Sequence, residues 1–493
     1  MTDTKAAGQA EFEAVTSLTT TQAKRVLHAV WYTPGRLGST AVKDERSEQL
    51  LAEADAAWEV WHQERYGEPP TAEQRKYRRI ASQVGWSWPV LCLGKPGTAK
   101  TSIGEGYSRE LGFVPNTIVG SQQRPEAVGG YPVHEDGAHS VRKVPEAWVD
   151  VVCGAMNGAV QIFDEITTAE EDMEAAMLRI FSDRAAGDRT LVGRVRVIGF
   201  GNRPGEVARA RDLSPASANR FLHIRWEGPT AEEWAGWVVG RMDSELLGAL
   251  LTDDGEFEVR KQRDPNVEEM RVLKAWPAAL AKAKAALTGF VTSSAGSVHS
   301  MPAPGHPDQS QAWVSHRTNE IAIRAYAACI VHNLDDTERL AMLGGIIGVE
   351  ATNALIEWIT ERNLPDAVRV LDNAPQLVKV PDGVDQAGVP QFKLEPGDVW
   401  APGERLDVTA MTMLECAQLI AANPHDRAAD KALWHKRASH WWDLMLDVVR
   451  AGHTEAVFRA ASFVVRAGYG SASCASARVA MDTIADFVKS CAE

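Results

Sequence analysis

Val90-Leu91-Cys92-Leu93-Gly94-Lys95-Pro96-Gly97-Thr98-Ala99-Lys100-Thr101 is the stretch whose reading decides the fold. The apolar run at its start reads as a buried strand, and the remainder as a glycine-rich loop ending in Lys-Thr. A loop of this kind, followed by a helix, is a phosphate cradle. Backbone N–H groups at the helix start wrap the phosphates, Lys100 reaches the β- and γ-phosphates, and the Thr101 hydroxyl ligates Mg²⁺. Gly94, Pro96, Gly97, Thr98, Ala99, Lys100 and Thr101 are the expected nucleotide-binding positions. The usual pattern has a glycine immediately before the lysine, where Ala99 stands; alanine adds one methyl group and can adopt helical angles. Alone, the loop could be a structural turn. The motifs that follow it, in order, favour the phosphate reading.

Ala159-Val160-Gln161-Ile162-Phe163-Asp164-Glu165-Ile166 is an apolar strand that ends in two adjacent carboxylates. Phosphoryl transfer to water needs one group to hold the metal and another to orient the water. Asp164 takes the first role and Glu165 the second, since neighbours at a strand end point to different sides. The bland alternative is a solvated strand end. Val195-Arg196-Val197-Ile198-Gly199-Phe200-Gly201-Asn202 is a further buried-type strand closed by an amide. Asn202 can bond the γ-phosphate or the attacking water, although Asn202-Arg203-Pro204-Gly205 is also turn chemistry in its own right.

Leu213-Ser214-Pro215-Ala216-Ser217-Ala218-Asn219-Arg220-Phe221 offers Arg220 as an arginine finger directed at the nucleotide of a neighbouring subunit. Such a residue is worth roughly 10³–10⁵ in rate; the alternative is a surface arginine that caps a short helix. Trp313-Val314-Ser315-His316-Arg317-Thr318 lies in a helical stretch. Arg317 is expected to reach the γ-phosphate from a lid, with Arg324, two turns on, as a competitor for that role.

With these motifs in place, residues 85–330 resemble an AAA+ ATPase of the MoxR branch. Gly97-Thr98-Ala99-Lys100-Thr101 is close to that branch's habitual loop. The stretches Val119-Gly120-Ser121-Gln122 through Gly129-Gly130-Tyr131-Pro132, Phe163-Asp164-Glu165-Ile166-Thr167-Thr168 and Ala218-Asn219-Arg220-Phe221 are similar to MoxR-like ATPases of high-GC bacteria and their phages. The resemblance implies an α/β protein with a P-loop NTPase αβα core and parallel sheet, followed by an all-helical lid and a helical C-terminal domain. It implies ATP and Mg²⁺ as cofactors, self-assembly into a homo-oligomeric ring, usually a hexamer, and ATP-driven remodelling of a client protein. Family members often work beside a protein with a von Willebrand A-type domain. In such rings the segment around Tyr131 can face the pore and grip a client; packing of this loop aromatic on the core is the favoured alternative.

The rest of the chain sets limits. With 493 residues, several domains are expected. The expected division is a helical leader over 1–84, the nucleotide-binding core over 85–227, the lid over 228–375 and the helical C-terminal domain over 376–493. Residues 1–20 are polar and read as disordered. Helices are expected over Gln22–Tyr32, over Val42–Tyr66 with Leu51, Ala54, Trp58 and Trp61 on one face, and after the capping box Thr71-Ala72-Glu73-Gln74. A break is expected over Pro381–Glu404. Beyond it, Trp434, Ala438, Trp441, Met445 and Val448 mark an apolar helical face of core type.

Lys and Arg number 52 against 66 Asp and Glu, a formal net charge of −14. That balance disfavours generic nucleic-acid binding, which needs clustered cations. Six scattered cysteines without a C-x-x-C pair argue against disulfide and zinc frameworks, with Cys92 and Cys329 read as core residues, and the thirteen histidines show no metal-ligand spacing. No apolar run approaches the ~20 residues that span a bilayer, and the N-terminus has no signal core, so a cytoplasmic enzyme with no membrane partner is expected. Two rivals stay open: a nucleic-acid-dependent motor or restriction/defence-type ATPase, and a low-turnover ATP-binding scaffold.

Overall fold

The computed structural model describes residues 14–37, 45–134, 139–192, 194–207, 209–235, 263–293, 298–303, 306–362, 367–377, 406–450, 453–470 and 473–490. Residues 1–13 and the break expected over Pro381–Glu404 lie outside these. The chain packs as two compact units: Met1–Trp276 with Val298–Thr352, and Pro277–Ser297 with Asn353–Glu493. These limits cut across the expected segments. Leader and core fall in one unit, and 228–375 is divided between the two.

The strands are β1 (Ser17–Thr19), β2 (Pro34–Leu37), β3 (Val84–Trp86), β4 (Val90–Gly94), β5 (Val114–Val119), β6 (Tyr131–His134), β7 (Val141–Val144), β8 (Ala159–Asp164), β9 (Ala185–Ala186), β10 (Arg189–Thr190), β11 (Val195–Gly201) and β12 (Leu222–Gly228). Six of them form one parallel sheet in the order β1-β12-β4-β11-β8-β5. β4, β8, β11 and β12 are almost wholly buried. Strands covered on both faces read as near-continuous apolar runs, which is how β4, β8 and β11 read in the sequence; β12 instead alternates, with His223, Arg225 and Glu227 between its apolar residues. β4 is central, with β12 on one side and β11 on the other, so the loop after Gly94 leaves from the middle of the sheet.

β11 breaks the apolar rule at Arg196, which is fully buried. Its guanidinium donates to Glu269 Oε1 at 2.7 Å, to the Trp31 carbonyl at 3.0 Å and to the Arg194 carbonyl at 2.9 Å. Burial pushes its pKa down, and the Glu269 carboxylate opposes that shift. A buried charge is tolerated only when paired and hydrogen-bonded in this way. The arrangement also fastens the leader helix Thr20–Trp31 to the sheet.

The leader is thus part of the fold, and the expectation of disorder fails from Thr16 onward. Thr16 and Leu18 are fully buried, and Ser17–Thr19 pairs with β12 as the edge strand. The polar composition hid it because alternate side chains of an edge strand can face water while the backbone is satisfied by its neighbour. Thr19 then caps the next helix in a capping box with Gln22. The helix Glu45–Tyr66 buries Leu50, Ala54, Trp58 and His62, which keeps Ala54 and Trp58 of the expected face and puts Leu50 and His62 in place of Leu51 and Trp61. The helix Ala72–Gln83 starts on the expected Thr71–Gln74 box.

The second unit is helical. The helices Leu406–Ala421, Lys431–Arg450 and Thr454–Arg466 surround a core that includes Ala438, Trp441, Trp442, Met445 and Val448. The expected apolar face is core, with Trp434 packed against it. Both indole N–H groups find carbonyls, Trp441 at Met413 (3.0 Å) and Trp442 at Tyr469 (2.7 Å). Among the described residues no helix is long and apolar enough to cross a membrane. Cys92 and Cys329 are buried, as expected.

Candidate functional site

The cradle is built where β4 ends. Gly94 sits against β12 so closely that a Cβ there would lie 2.3 Å from the Trp226 carbonyl oxygen. Gly97 has φ +80°, a conformation that side chains resist. Ala99, the N-cap of the helix Lys100–Glu110, is also left-handed, at φ 57° and ψ 24°. The expectation that alanine rests here at ordinary helical angles is therefore corrected. The methyl group is held where glycine is favoured, at a cost of about 1–2 kcal/mol. Backbone strain of this kind persists where the surroundings fix it. Thr98 helps: its Oγ1 donates to the Lys95 carbonyl at 2.8 Å, and its own carbonyl accepts from Trp226 Nε1 at 3.1 Å.

Lys100 is buried, and its ammonium donates to three neutral oxygens: Gly94 O at 2.7 Å, Lys95 O at 2.8 Å and Asn202 Oδ1 at 3.3 Å. Burial draws its pKa below the ordinary lysine value, while the nearby Asp164 and Glu206 charges pull the other way. Thr101 Oγ1 donates to Asp164 Oδ2 at 2.6 Å. The two residues expected to hold Mg²⁺ therefore touch, and both offer the hard oxygen ligands that Mg²⁺ takes. The Lys100 charge, balanced by neutral acceptors, is matched to an incoming polyanion. These residues fit a nucleotide with Mg²⁺.

Glu165 follows Asp164 in a left-handed conformation, φ 55° and ψ 35°, at the start of the turn Ile166–Thr168. Its backbone N–H donates to Asp164 Oδ1 at 2.8 Å. Its side chain accepts a hydrogen bond from Ser121 Oγ. Asn202 is fixed by Thr167, whose hydroxyl donates to the Asn202 carbonyl at 2.9 Å and accepts from its N–H at 3.1 Å. The cradle, Asp164, Glu165 and Asn202 thus gather at one end of the sheet.

Arg220 and Arg317 do not join them. Arg220 lies two residues before Leu222, which is level with Val90 at the start of β4, whereas Gly94 is level with Trp226. The length of β4, about 13 Å, separates that end from the cradle. Arg220 Nε donates to Ser182 Oγ at 2.6 Å. Arg220, Arg317, Arg324 and Arg184 line one cavity of about 510 Å³. Burial lowers the Arg220 pKa, and the like charge of Arg317 adds to that shift. The expected reach of Arg317 to the γ-phosphate on its own chain is corrected. Its helix, His316–His332, begins where Ser315 donates to Asn219 Oδ1 at 2.8 Å. That bond places Arg317 beside Arg220, at the far end of the sheet from Lys100.

Tyr131 is exposed, on the hairpin of β6 and β7, and its hydroxyl donates to Glu146 Oε1 at 2.9 Å. The favoured core-packing reading is corrected: all eight strand residues of that hairpin face solvent. Sequence reasoning gave no role to Ser121, Thr167 or Asn219. Ser121 could be found once β5 is known to pair with β8, since Val119 is level with Asp164. Asn219 could be found only from the contact with Ser315. The structure also brings together His28, Glu268 and His332, far apart in sequence, with His28 Nε2 3.2 Å and His332 Nδ1 3.7 Å from Glu268 Oε1. A cation already serves that carboxylate: Arg271 donates to both of its oxygens, at 2.6 and 2.8 Å.

None of the curated proteins matches this chain. Among solved structures it is similar to one of an inferred ATPase from Cytophaga hutchinsonii, at 13% identity and a TM-score of 0.34, covering 66% of this chain and 88% of that one. A likeness that loose carries no further weight. Residues 89–221 match the family model described as AAA domain (dynein-related subfamily). That stretch holds the cradle, the Asp164-Glu165 pair, Asn202 and Arg220, and over it the chain carries an AAA domain, a nucleotide-binding ATPase module.

Proposed function

We propose that this chain is a Mg²⁺-dependent ATPase of MoxR type that assembles into a homo-oligomeric ring, most simply a hexamer, and remodels or activates a client protein in the cytoplasm. The observation that carries the reading is the convergence of Lys100, Asn202, Thr101 and Asp164 on the loop that leaves the centre of the sheet. Mg²⁺, held by Thr101 and Asp164, supplies neutralisation of charge on the phosphate oxygens. Lys100 exchanges its neutral oxygens for the β- and γ-phosphates. Asn202 binds the γ-phosphate or the water beside it. Glu165 orients that water and takes its proton, once its carboxylate leaves Ser121.

Arg220 lies too far from its own cradle to serve it, which supports a role as a finger acting on the nucleotide of a neighbouring copy. Arg317, beside it, is assigned to the same neighbour and adds charge stabilisation there. Tyr131, exposed on its hairpin, is assigned to gripping a client segment in the pore, and a von Willebrand A-type protein is the first client to try.

The test is ATP hydrolysis by the full chain as its concentration rises, with and without single-stranded and duplex DNA, beside the size of the particle with ATP bound. Turnover per chain that rises with assembly, ignores DNA and disappears in Lys100→Ala is expected. Strong stimulation by DNA would put the nucleic-acid motor first. Tight binding without turnover would favour the scaffold.

A further inference from the structure

Arg203, the residue after Asn202, stands where three neighbouring strands end. β11 and β12 flank β4, and Leu93 is level with Gly201 on one side and Arg225 on the other. Arg203 and Glu227 each lie two residues beyond that level, on either side of Lys95. Their ion pair, with Nη2 3.0 Å from Oε1, bridges two strand spacings, about 9–10 Å. It forms a bar across the end of β4, where the cradle leaves the sheet. Glu227 Oε1 also accepts from Ser17 Oγ at 2.9 Å. Ser17 belongs to β1, the edge strand supplied by the leader.

Two further facts mark Arg203 as a charge that could be held differently. Its Nε is buried without a hydrogen-bond partner among the described residues, 3.8 Å from Glu206 Oε1. Its charge, with that of Glu206, is felt by Lys100 inside the cradle. On Glu227, burial acts to raise the carboxyl pKa. Hydrogen bonds from Ser17 and Arg203, with the charges of Arg203 and Lys95, outweigh burial and hold it below the ordinary range.

We propose that Arg203 couples the phosphate cradle to the leader's edge strand: a nucleoside triphosphate in the cradle competes with Glu227 for the Arg203 guanidinium, and the hold of Glu227 on Ser17 and β1 loosens. The inference rests on the reading of residues 94–101 as the nucleotide site. A guanidinium pairs with phosphate oxygens at least as well as with a carboxylate. Glu227 is about half exposed, so water can replace Arg203 there at little cost. Coupling of this kind is reciprocal: the same factor by which nucleotide weakens the β1 attachment is the factor by which that attachment weakens nucleotide binding.

The experiment measures the Kd of the full chain for a fluorescent ATP analogue, and hydrogen exchange at the Ser17–Thr21 amides with and without that analogue. Arg203→Ala should raise Kd about tenfold, the worth of a charge-assisted hydrogen bond. Glu227→Gln should lower Kd, and should do nothing when added to Arg203→Ala. Nucleotide should speed exchange in β1 of the unmodified chain and not in Arg203→Ala. Arg203→Lys, which keeps the charge and loses the fork, should fall between and serves if the alanine variant does not fold. Equal loss of affinity in both single variants would mean a purely structural bar and overturn the proposal. So would tightening by Glu227→Gln that persists without Arg203, or exchange in β1 that ignores nucleotide. Failure of the unmodified chain to bind any nucleotide would instead overturn the reading of the cradle itself.

Discussion

The two ends of the parallel sheet solve opposite problems. At the cradle end the groups that would meet the nucleotide are held within the chain: Lys100 rests on three neutral oxygens, and Thr101 on Asp164. At the other end Arg220, Arg317, Arg324 and Arg184 share one cavity, and the charges of Arg220 and Arg317 work against each other. Collecting like charges is costly unless an anion arrives to relieve it. The cradle end is prepared to receive its ligand alone. Asp183 and Glu320 line the same cavity and offset part of that charge; the excess that is left is positive, and in the proposed ring the nucleotide of the next copy is the anion it would meet.

Arg220→Ala tests the contrast between the two ends most severely. Turnover by the assembled protein should fall by roughly 10³ or more, while the affinity of the dilute chain for nucleotide stays unchanged. An equal fall in affinity would place Arg220 at its own cradle and end the contrast. Next in size is Glu165→Gln, which should bind ATP and lose roughly 10²–10³ of its turnover. Mixing the two inactive variants should restore activity, because some interfaces then pair an intact cradle with an intact arginine. Failure to recover at every mixing ratio would show that both residues serve one chain.

The difference between the ends also explains what could be read from the sequence. The cradle was legible because its chemistry is local: consecutive residues 94–101 carry it, and a strand end presents Asp164 and Glu165 together. The middle of the parallel sheet was legible from the apolar runs of β4, β8 and β11, whereas β12 alternates apolar and charged residues. The position of Arg317 was not, because it depends on long-range contacts such as those of Asn219 with Ser315 and the Trp313 carbonyl, which no local pattern encodes. The leader was misread for a related reason. Ser17-Leu18-Thr19 is too short and too polar to announce a strand, and it becomes one only beside β12. Ala99 was misread in conformation, since sequence gives the residue and not its φ.

A third prediction separates the ends by pH. His223 is buried on β12 at the arginine end, its Nε2 2.8 Å from the Ala218 carbonyl. Burial pushes its pKa down to about 4; the bond to Ala218 opposes this and the charge of Arg225 adds to it. The folded chain therefore keeps His223 neutral while the unfolded chain takes up a proton below its ordinary pKa of about 6.5. Stability should be complete above that value and fall by up to about 1.4 kcal/mol per pH unit down to about pH 4. Thermal unfolding at pH 7.5 and 5.0 should show the drop, and His223→Gln should reduce it. At the cradle end the corresponding lever is conformational. Ala99→Gly should raise stability by about 1 kcal/mol, by removing the left-handed strain at the loop; an unchanged midpoint would mean that the gain is lost to the greater freedom of glycine in the unfolded chain.

The smallest expected effect tests how quiet the cradle end is at rest. Ser121 follows β5, the strand beside β8, and its hydroxyl holds the Glu165 carboxylate. A carboxylate engaged as an acceptor there is less available to water, so the bond works as a brake on hydrolysis. Removing one hydrogen bond of this kind is worth about 1 kcal/mol, or about fivefold in rate. Ser121→Ala should therefore raise basal turnover about fivefold and leave nucleotide affinity alone, and it should give no gain when combined with Glu165→Gln. A fall in turnover would reverse the sign of the argument: Ser121 would then be the group that aims Glu165 at the water, and the cradle end would be poised for hydrolysis rather than held from it until the neighbouring arginine arrives.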